Sequence, residues 1–269
     1  MKDQSTTAGD GLAVVPPALE TVSVSKRFGG IRAVDGVSLQ VQRGTIVGLI
    51  GPNGAGKTTL FDLLAGVQQP SGGRVLVDGR ALREPRAHGR LSLGVGRTFQ
   101  VPRPFAELTL LDNVMLGSQR QSGERVWPNW LTPRRVRAEE RRAQERAHEL
   151  LDFVSLARLA HKPARVLSGG QRKLLELARV LMADPATVLL DEPAAGVHPR
   201  LLEVVVDRVV ALNGRGITFL IIEHNMDLVA ALCTRLVVMA QGRLLCEGSP
   251  RDVVRDARVI DAYLGGVAA

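Results

Sequence analysis

Apolar and polar positions alternate with a period of two in the first part of the chain. Val22 and Val24 are separated by polar neighbours, and a second short segment of this kind covers residues 37–41. A third segment, residues 74–79, follows a cluster of Pro, Ser and Gly. A period of two is typical of β-strands, and such clusters mark the turns between them. These residues predict an antiparallel β layer.

From about residue 101 to 165 the pattern becomes helical. Apolar side chains that form one helical face are Ala143, Ala147, Leu150, Leu151 and Val154. Apolar residues spaced by three and four positions predict an amphipathic helix. We therefore expect a helical subdomain at about residues 101–167, inserted into the rest of the fold.

Helices and strands alternate beyond this segment. The predicted elements are helix 171–183, strand 187–190, helix 201–212, strand 217–222, helix 226–232, strand 236–239 and strand 243–246. Alternation of this kind is typical of a parallel sheet with helices on its faces, so the predicted fold class is α/β. Ser249, Pro250 and Asp252 supply a cap, a first-turn proline and an acid at the third position. Together they predict the start of a terminal helix.

A GxxxxGK[ST] loop lies between a mostly apolar run, residues 45–50, and a helical segment. Glycines in such a loop let backbone N–H groups turn towards phosphate oxygens. Lys57 can then neutralise the β- and γ-phosphates, and the Thr58 hydroxyl can ligate Mg²⁺. A plain Gly-rich turn is the alternative, but the strand–loop–helix context favours nucleoside triphosphate binding. The predicted binding residues are Gly51, Pro52, Asn53, Gly54, Ala55, Gly56, Lys57, Thr58 and Thr59.

Two carboxylates, Asp191 and Glu192, directly follow the apolar strand 187–190. In P-loop ATPases an Asp at this place holds the Mg²⁺ ion and its waters. A neighbouring Glu can accept a proton from the attacking water. A helix cap or a turn is the alternative for an isolated Asp-Glu pair, but the phosphate loop upstream favours a metal site at Asp191 and a general base at Glu192.

A helix start with exposed backbone donors is predicted at residues 167–171. Ser168 can cap the helix, and the two glycines that follow leave N–H groups open at the positive end of the helix dipole. This arrangement suits an anion such as a phosphate. Without other motifs, an ordinary capped helix start would be the favoured interpretation.

These motifs, together with His224 after Glu223, resemble the ATP-binding subunit of an ABC transporter over residues 19–264. The resemblance implies a P-loop ATPase core with an antiparallel β subdomain and an inserted helical subdomain. It also implies a head-to-tail dimer that buries two ATP molecules, with the signature of one subunit against the γ-phosphate held by the other. The signature residues are Ser168, Gly169, Gly170 and Gln171.

The resemblance also assigns roles that residue chemistry alone does not. It implies that Phe28 stacks on the adenine ring, that Gln100 contacts Mg²⁺ and the attacking water, and that His224 bridges to the γ-phosphate. Alone, these side chains would be interpreted as a loop anchor, an ordinary polar loop residue and a polar strand cap. With ATP and Mg²⁺ as cofactors, the implied catalytic residues are Glu192, His224 and Gln100, and the implied metal-site residues are Thr58, Gln100 and Asp191.

Three further segments narrow the resemblance. Residues 97–100, 191–196 and 259–265, with a long insert between Gly117 and Ala143, are similar to the ATPases of branched-chain amino acid importers. Importers of urea and short amides share this pattern. A lipopolysaccharide-export ATPase shares the C-terminal segment but generally lacks such an insert. The resemblance therefore implies an ATP-binding and ATP-hydrolysing subunit of an importer, with branched-chain amino acids as the expected solute and a urea or amide importer or a lipopolysaccharide exporter as the alternatives.

Two features depart from the narrower pattern. His198 stands where many relatives carry Asp and where this subgroup often carries Asn. Residues 167–171 have the general LSGGQ form, from which the subgroup often departs, so this motif does not support the narrower assignment.

The resemblance defines domains and partners. We expect an ATP-binding domain at 19–265, with tails at 1–18 and 266–269. The partners are a second ATPase subunit (identical or paralogous), two transmembrane permease subunits and, indirectly, an extracytoplasmic solute-binding protein. Residues 97–105 are expected to touch a short cytoplasmic helix of a permease subunit. The chain is placed at the cytoplasmic face of the membrane, to which it binds peripherally.

The charge of the chain admits other partners. The net charge is +8 and the isoelectric point is near 10.4, which fits nucleic acid, an anionic membrane surface or nucleotide with an acidic protein. Basic residues concentrate in 120–146, where interleaved glutamates favour a solvated helix face. Trp127 and Trp130 are too few for a base-stacking platform. A single P-loop and the lack of long heptad-patterned stretches oppose a ribosomal or chromosomal ATPase, so no nucleic-acid partner is expected.

The two cysteines indicate the redox compartment of the protein, and the lengths of the apolar runs indicate whether a segment spans a membrane. Cys233 and Cys246 lie among apolar neighbours and are predicted to be core thiols in a reducing compartment. No run of 18 or more apolar residues occurs, so no segment is expected to span a bilayer by itself.

Overall fold

A computed structural model describes residues 15–81, 87–119 and 133–264. The strands of this part are β1 (Leu19–Phe28), β2 (Ile31–Val41), β3 (Ile46–Ile50), β4 (Gly72–Val77), β5 (Arg80–Ala81), β6 (Val95–Arg97), β7 (Thr187–Asp191), β8 (Thr218–Ile222), β9 (Arg235–Ala240) and β10 (Arg243–Gly248). The helices are α1 (Lys57–Leu64), α2 (Ala87–Ser92), α3 (Leu110–Met115), α4 (Pro133–Phe153), α5 (Gly169–Leu181), α6 (Pro199–Asn213), α7 (Met226–Leu232), α8 (Pro250–Arg255) and α9 (Ala257–Leu264). Short 3-10 turns cover Ala157–Leu159 and Ala164–Val166.

Two sheets form the framework. The first has the order β2-β1-β4-β5 and is antiparallel throughout. The second has the order β10-β9-β3-β8-β7-β6; its strands are parallel except β10, which runs antiparallel to β9. The predicted antiparallel layer and the predicted parallel sheet are both confirmed.

The central strands of the parallel sheet are buried along their whole length. Every residue of β3, β7 and β8 is buried, as expected for a sheet covered on both faces. One face packs on the antiparallel sheet, with the apolar side chains of α1 filling the space between them. The other face packs on the long helices. Helix α1 therefore begins in the layer between the two sheets.

The helical subdomain packs against the second face of the parallel sheet. Its predicted apolar face on α4 is confirmed, because Ala143, Ala147, Leu150, Leu151 and Val154 are all buried in one cluster. Helix α5 belongs to the same cluster and carries the predicted signature residues at its N-terminus. The part of the basic insert that contains Trp127 and Trp130 lies outside the described residues.

The two chain ends differ in detail from the expectations. Ala18, assigned to the flexible N-terminal tail, is buried, and its N–H donates to the Val41 carbonyl at 2.9 Å. The rest of that tail up to residue 14, and the C-terminal tail 266–269, lie outside the described residues. The predicted helix start at Ser249 is confirmed, because its side chain accepts the Asp252 N–H, but the segment that follows forms two helices and not one. Asp256 leaves the helical region (ψ 120°) and its carboxylate accepts the Arg258 N–H at 2.9 Å, which ends α8 and begins α9.

Two further expectations concern the cysteines, predicted to be core thiols, and the absence of a membrane-spanning segment. Both thiols are free: Cys233 is buried and Cys246 is half-buried. Burial raises the pKa of Cys233 to about 12. Within the described ranges, none of the helices combines the length and the apolar character needed to cross a membrane.

Candidate functional site

The phosphate loop connects β3 to α1 and is held by close backbone packing. Gly51 has φ +148°, and a Cβ there would lie 2.1 Å from the Met239 carbonyl oxygen of β9. Gly56 has φ +95°, and a Cβ there would lie 2.2 Å from the Ala33 carbonyl oxygen of β2. Both positions require glycine, since a real Cβ does not fit at such distances and L-residues avoid these φ values. The loop is thus braced against both sheets.

The Lys57 ammonium group is hydrogen-bonded to the backbone of the loop. It is buried, and its Nζ donates to the Gly51 carbonyl at 2.7 Å and the Pro52 carbonyl at 2.9 Å. Burial lowers the pKa of this ammonium group, and the nearby Glu192 and Asp191 carboxylates oppose that shift. A desolvated ammonium group in this position is suited to an anionic ligand, whose charge would replace its lost hydration.

A cavity of about 420 Å³ opens above the loop. Most of the predicted binding residues line it together with the three predicted catalytic side chains. The lining comprises Ala33, Asn53, Gly54, Ala55, Gly56, Lys57, Thr58, Thr59, Gln100, Glu192 and His224. Gly51 and Pro52 form the start of the loop below. Phe28 lies outside this lining, at the end of β1, where its ring is half-exposed and the Lys26 Nζ is 5.0 Å from its centroid.

Gln100, Glu192 and His224 are joined by hydrogen bonds. Gln100 Nε2 donates to Glu192 Oε2 at 2.7 Å, and His224 Nε2 lies 3.2 Å from Glu192 Oε1. Glu192 has a left-handed backbone, φ +46°, which is uncommon for a residue other than glycine. Its N–H donates to the Ile222 carbonyl at the end of β8. The structure therefore brings the three predicted catalytic residues together at the mouth of the cavity.

Asp191 lies below Glu192 at the end of β7. It is buried, and burial raises the pKa of its carboxyl group against the opposing effect of Arg97. Arg97 Nη2 lies 3.2 Å from Asp191 Oδ2, and Arg97 Nη1 is hydrogen-bonded to Asp62 Oδ1. Of the three predicted metal-site residues, Thr58 and Gln100 line the cavity and Asp191 does not. A hydroxyl, an amide and a carboxylate are nevertheless the oxygen donors that Mg²⁺ prefers, so the set fits this ion.

The predicted cap of α5 is confirmed. Ser168 Oγ accepts the Gln171 N–H at 3.3 Å, and Gln171 Oε1 accepts the Ser168 N–H at 3.0 Å, which is a capping box. A Cβ at Gly169 would meet only the Gly196 carbonyl oxygen at 3.7 Å, an ordinary contact distance, whereas a Cβ at Gly170 would lie 2.9 Å from Leu201 of α6. These residues do not line the cavity of their own chain.

His198 acts as the N-cap of α6, because its Nδ1 accepts the Arg200 N–H at 3.4 Å. Asp and Asn side chains perform the same capping function at helix starts. The departure at this position therefore preserves the local structure.

Some residues around the site were missed by sequence reasoning. Glu223 is buried, and its Oε1 accepts the Ala194 N–H at 2.6 Å while Oε2 accepts the His224 N–H at 3.0 Å. Lys173 Nζ donates to the Glu192 carbonyl, and Glu176 Oε1 accepts the Phe99 N–H at 2.9 Å. For Lys173 and Glu176 the spacing of three places both residues on one side of a helix, but it does not identify their partners. For Glu223 and Arg97 we find no local signal of their partners.

Comparison with known proteins agrees with this geometry. The family model described as ABC transporter matches residues 34–195, and the model described as branched-chain amino acid ATP-binding cassette transporter matches residues 243–269. The chain is 37% identical over 251 residues to a probable branched-chain amino acid transport ATP-binding protein, LivG, of Archaeoglobus fulgidus, covering 92% of this chain and 95% of that protein.

A second relative and a solved structure are similar over the same extent. The high-affinity branched-chain amino acid transport ATP-binding protein BraF of Pseudomonas aeruginosa is 38% identical over 250 residues, covering 93% of this chain and 98% of that protein. The crystal structure of the ADP conformation of MJ1267, an ATP-binding cassette of an ABC transporter, superposes with a TM-score of 0.80 at 35% identity. This superposition covers 92% of this chain and 98% of that one.

Proposed function

This chain belongs to the ABC transporter family, as an ATP-hydrolysing subunit related to branched-chain amino acid transport proteins, and we propose that it drives the import of branched-chain amino acids. Similarity to LivG and BraF over more than nine-tenths of the chain supports this cargo. The match at residues 243–269 supports it independently, because this segment lies outside the general ABC transporter match.

One observation carries the hydrolytic mechanism: Glu192 lies between Gln100 and His224 at the mouth of the phosphate-loop cavity. The backbone N–H groups of the loop and the Lys57 ammonium bind the phosphates. Glu192 accepts a proton from the water that attacks the γ-phosphate, while Gln100 orients that water. His224 holds the Glu192 carboxylate from its other oxygen and faces the γ-phosphate.

Thr58, Gln100 and Asp191 would hold Mg²⁺, which would neutralise charge on the phosphate oxygens. The chain contributes two of these donors directly to the cavity wall. Asp191 lies in the layer beneath, where Arg97 fixes its carboxylate. That depth suits a contact to the ion through its bound waters.

The dimer is inferred from the position of the signature. Ser168 and Gly169 are exposed at the start of a helix, away from the cavity of their own chain, and the capping box does not involve the Gly169 N–H. A second ATPase subunit, identical or paralogous, therefore supplies the signature that covers the γ-phosphate. Phe28 is not part of the cavity lining, but the β1–β2 hairpin to which it belongs also carries Ala33 of that lining, and this connection supports its contact with adenine.

Membrane partners are inferred from an exposed apolar surface next to Gln100. Phe99, Val101 and Phe105 are each more than half exposed in the loop that leads from the parallel sheet into the helical subdomain. An apolar surface of this kind suits a protein partner. We assign it to the transmembrane permease subunits, which place the chain at the cytoplasmic face of the membrane, with a solute-binding protein as an indirect partner.

The test is Glu192→Gln in the full chain, with Glu203→Gln on the exposed side of α6 as matched control. Glu192→Gln should keep ATP binding and lower the hydrolysis rate by about 10²-fold or more, because a general base contributes on that order. The control should hydrolyse ATP like the wild type. Unchanged turnover in Glu192→Gln would remove Glu192 from this role.

The cargo is tested in vesicles that contain the complete transporter. ATP-driven uptake of leucine, isoleucine or valine supports the proposal. Uptake of urea or a short amide with no branched-chain uptake contradicts it, as does export of a lipopolysaccharide.

A further inference from the structure

We propose that Lys173 and Glu176, on the helix that begins with the signature, are positioning residues for the catalytic Glu192 and Gln100 of the same chain. This inference rests on the proposed function. Neither side chain lines the phosphate-loop cavity. Both act through the loops that carry the catalytic side chains.

Glu176 holds the loop that contains Gln100. Its side chain is buried, and Oε1 accepts the Phe99 N–H at 2.9 Å, directly before Gln100. Burial raises the pKa of this carboxyl group to about 7. A buried carboxyl group is costly unless its hydrogen bonds are satisfied, so the Phe99 N–H stabilises the carboxyl group and the carboxyl group holds the loop.

Lys173 holds the loop that contains Glu192. Its Nζ donates to the Glu192 carbonyl oxygen, which also accepts the Ala195 N–H at 3.1 Å. Glu192 has just left strand β7 in a left-handed conformation, so its carbonyl has no partner strand. Burial lowers the pKa of Lys173, and the carboxylates around it oppose that shift.

The two contacts connect α5 to both catalytic loops, and a further hydrogen bond connects the loops to each other. Lys173 and Glu176 are three residues apart and therefore lie on the same side of α5. The loops that they hold are joined again by the 2.7 Å hydrogen bond from Gln100 to Glu192. The pocket between the helix and the loops is only about 20 Å³, room for about one water molecule, so the helix packs closely on the loops.

The same helix has the signature at its N-terminus. In the proposed dimer that end contacts the ATP bound by the partner subunit. A displacement of α5 at the signature therefore moves the backbone at Phe99 and Glu192, and proton transfer is sensitive to displacements of this kind. Lys173 and Glu176 thus link occupancy of the partner's site to hydrolysis in this one.

The kinetic test compares disruptive with conservative variants. Glu176→Ala and Lys173→Met should lower kcat by about 10- to 100-fold with KM for ATP unchanged, because the catalytic groups are displaced while the phosphate loop is intact. Glu176→Gln and Lys173→Arg should recover most of the rate, since each retains the required acceptor or donor. Wild-type kcat in both disruptive variants, or a raised KM with unchanged kcat, would overturn the proposal.

A double-mutant cycle separates positioning from general stability. If Glu176 acts through Gln100, then Glu176→Ala should lower kcat little further in a Gln100→Ala background. An equal fold-loss in both backgrounds would indicate a merely structural role and contradict the inference.

Hydrogen exchange tests the hydrogen bond between Glu176 and the Phe99 N–H without a measurement of activity. The Phe99 amide should exchange about 5- to 30-fold faster in Glu176→Ala than in the wild type, and not in Glu176→Gln or in Glu203→Ala. Unchanged exchange would disprove the contact. A wild-type chain that does not hydrolyse ATP would instead defeat the proposed function. If Glu176→Ala does not fold, Lys173→Met and exchange at the Ala195 amide, which shares the Glu192 carbonyl, decide the question.

Discussion

The two ends of the ATP site are held by different means. At the phosphate end, the loop backbone is wedged between the sheets, with Gly51 against Met239 and Gly56 against Ala33. At the catalytic end, Gln100 and Glu192 stand on separate loops and are held by side-chain hydrogen bonds. We call these the backbone-held end and the side-chain-held end.

The difference separates binding from control. Close packing of a backbone restricts its conformations, and the space between this loop and the neighbouring carbonyl groups does not admit even a Cβ. A hydrogen bond between partly exposed side chains contributes only about 0.5–1.5 kcal/mol net and can be broken and remade. The backbone-held end is therefore suited to a phosphate-binding site that keeps the same shape throughout turnover. The side-chain-held end is suited to responding to a partner.

The largest expected effect is a loss of stability when the close packing at the backbone-held end is disrupted. Gly56→Ala should lower the free energy of unfolding by about 3 kcal/mol or more, because both its φ and the Ala33 carbonyl exclude a Cβ. Gly54→Ala is the matched control, with φ +77° but open space around it, and should cost only about 1 kcal/mol. Urea unfolding of both variants measures this. Equal losses would mean that close packing does not hold the loop.

The next effect concerns the pH dependence of the side-chain-held end. Burial raises the pKa of Glu176 from 4.5 to about 7, so the native state binds more protons than the unfolded chain between these values. Stability from this group is fully present below about pH 4.5 and is lost as the pH rises through 7, up to about 3 kcal/mol in total. Urea unfolding from pH 5 to 8 should show that Glu176→Gln lacks this slope.

Two results would contradict the assignment of this slope to Glu176. One is a wild-type slope that persists unchanged in Glu176→Gln. The other is a slope that disappears in Glu203→Gln, whose side chain is exposed and should not influence it.

The smallest expected effect is on the stability of the helix cap at His198, which does not belong to the side-chain-held end. His198→Ala removes the cap of α6 and should cost about 0.5–1 kcal/mol, or about 2 °C in Tm, while His198→Asn should restore the stability. Thermal unfolding measures both. A loss in His198→Asn as large as that in His198→Ala would mean that capping is not the function of this histidine.

The backbone-held end could be predicted from the sequence because its determinants are local. Glycine spacing, Lys57 and the flanking strand and helix lie within about twenty residues, and their conformational preferences act on the chain itself. The Ser168 cap was predictable for the same reason. The break between α8 and α9 was not, because Asp256 and Arg258 compete with a helical pattern that continues through them.

The roles of Gln100, His224 and Phe28 could be assigned only from a family resemblance, because their surroundings are assembled from distant parts of the chain. Gln100 meets Glu192 across 92 residues, Arg97 meets Asp191 across 94 and Glu176 meets Phe99 across 77. No local propensity encodes such pairs. They exist only once the parallel order of β6, β7 and β8 brings the ends of these strands together.

By itself, the sequence determined the fold class, the phosphate-binding loop and the two carboxylates that follow β7, since short-range sterics and hydrophobic periodicity specify them. Only the tertiary structure decided which side chains hold the catalytic end. Hydrogen bonds between loops depend on distances of a few tenths of an ångström, and those distances are set by the packing of α5 on the sheet.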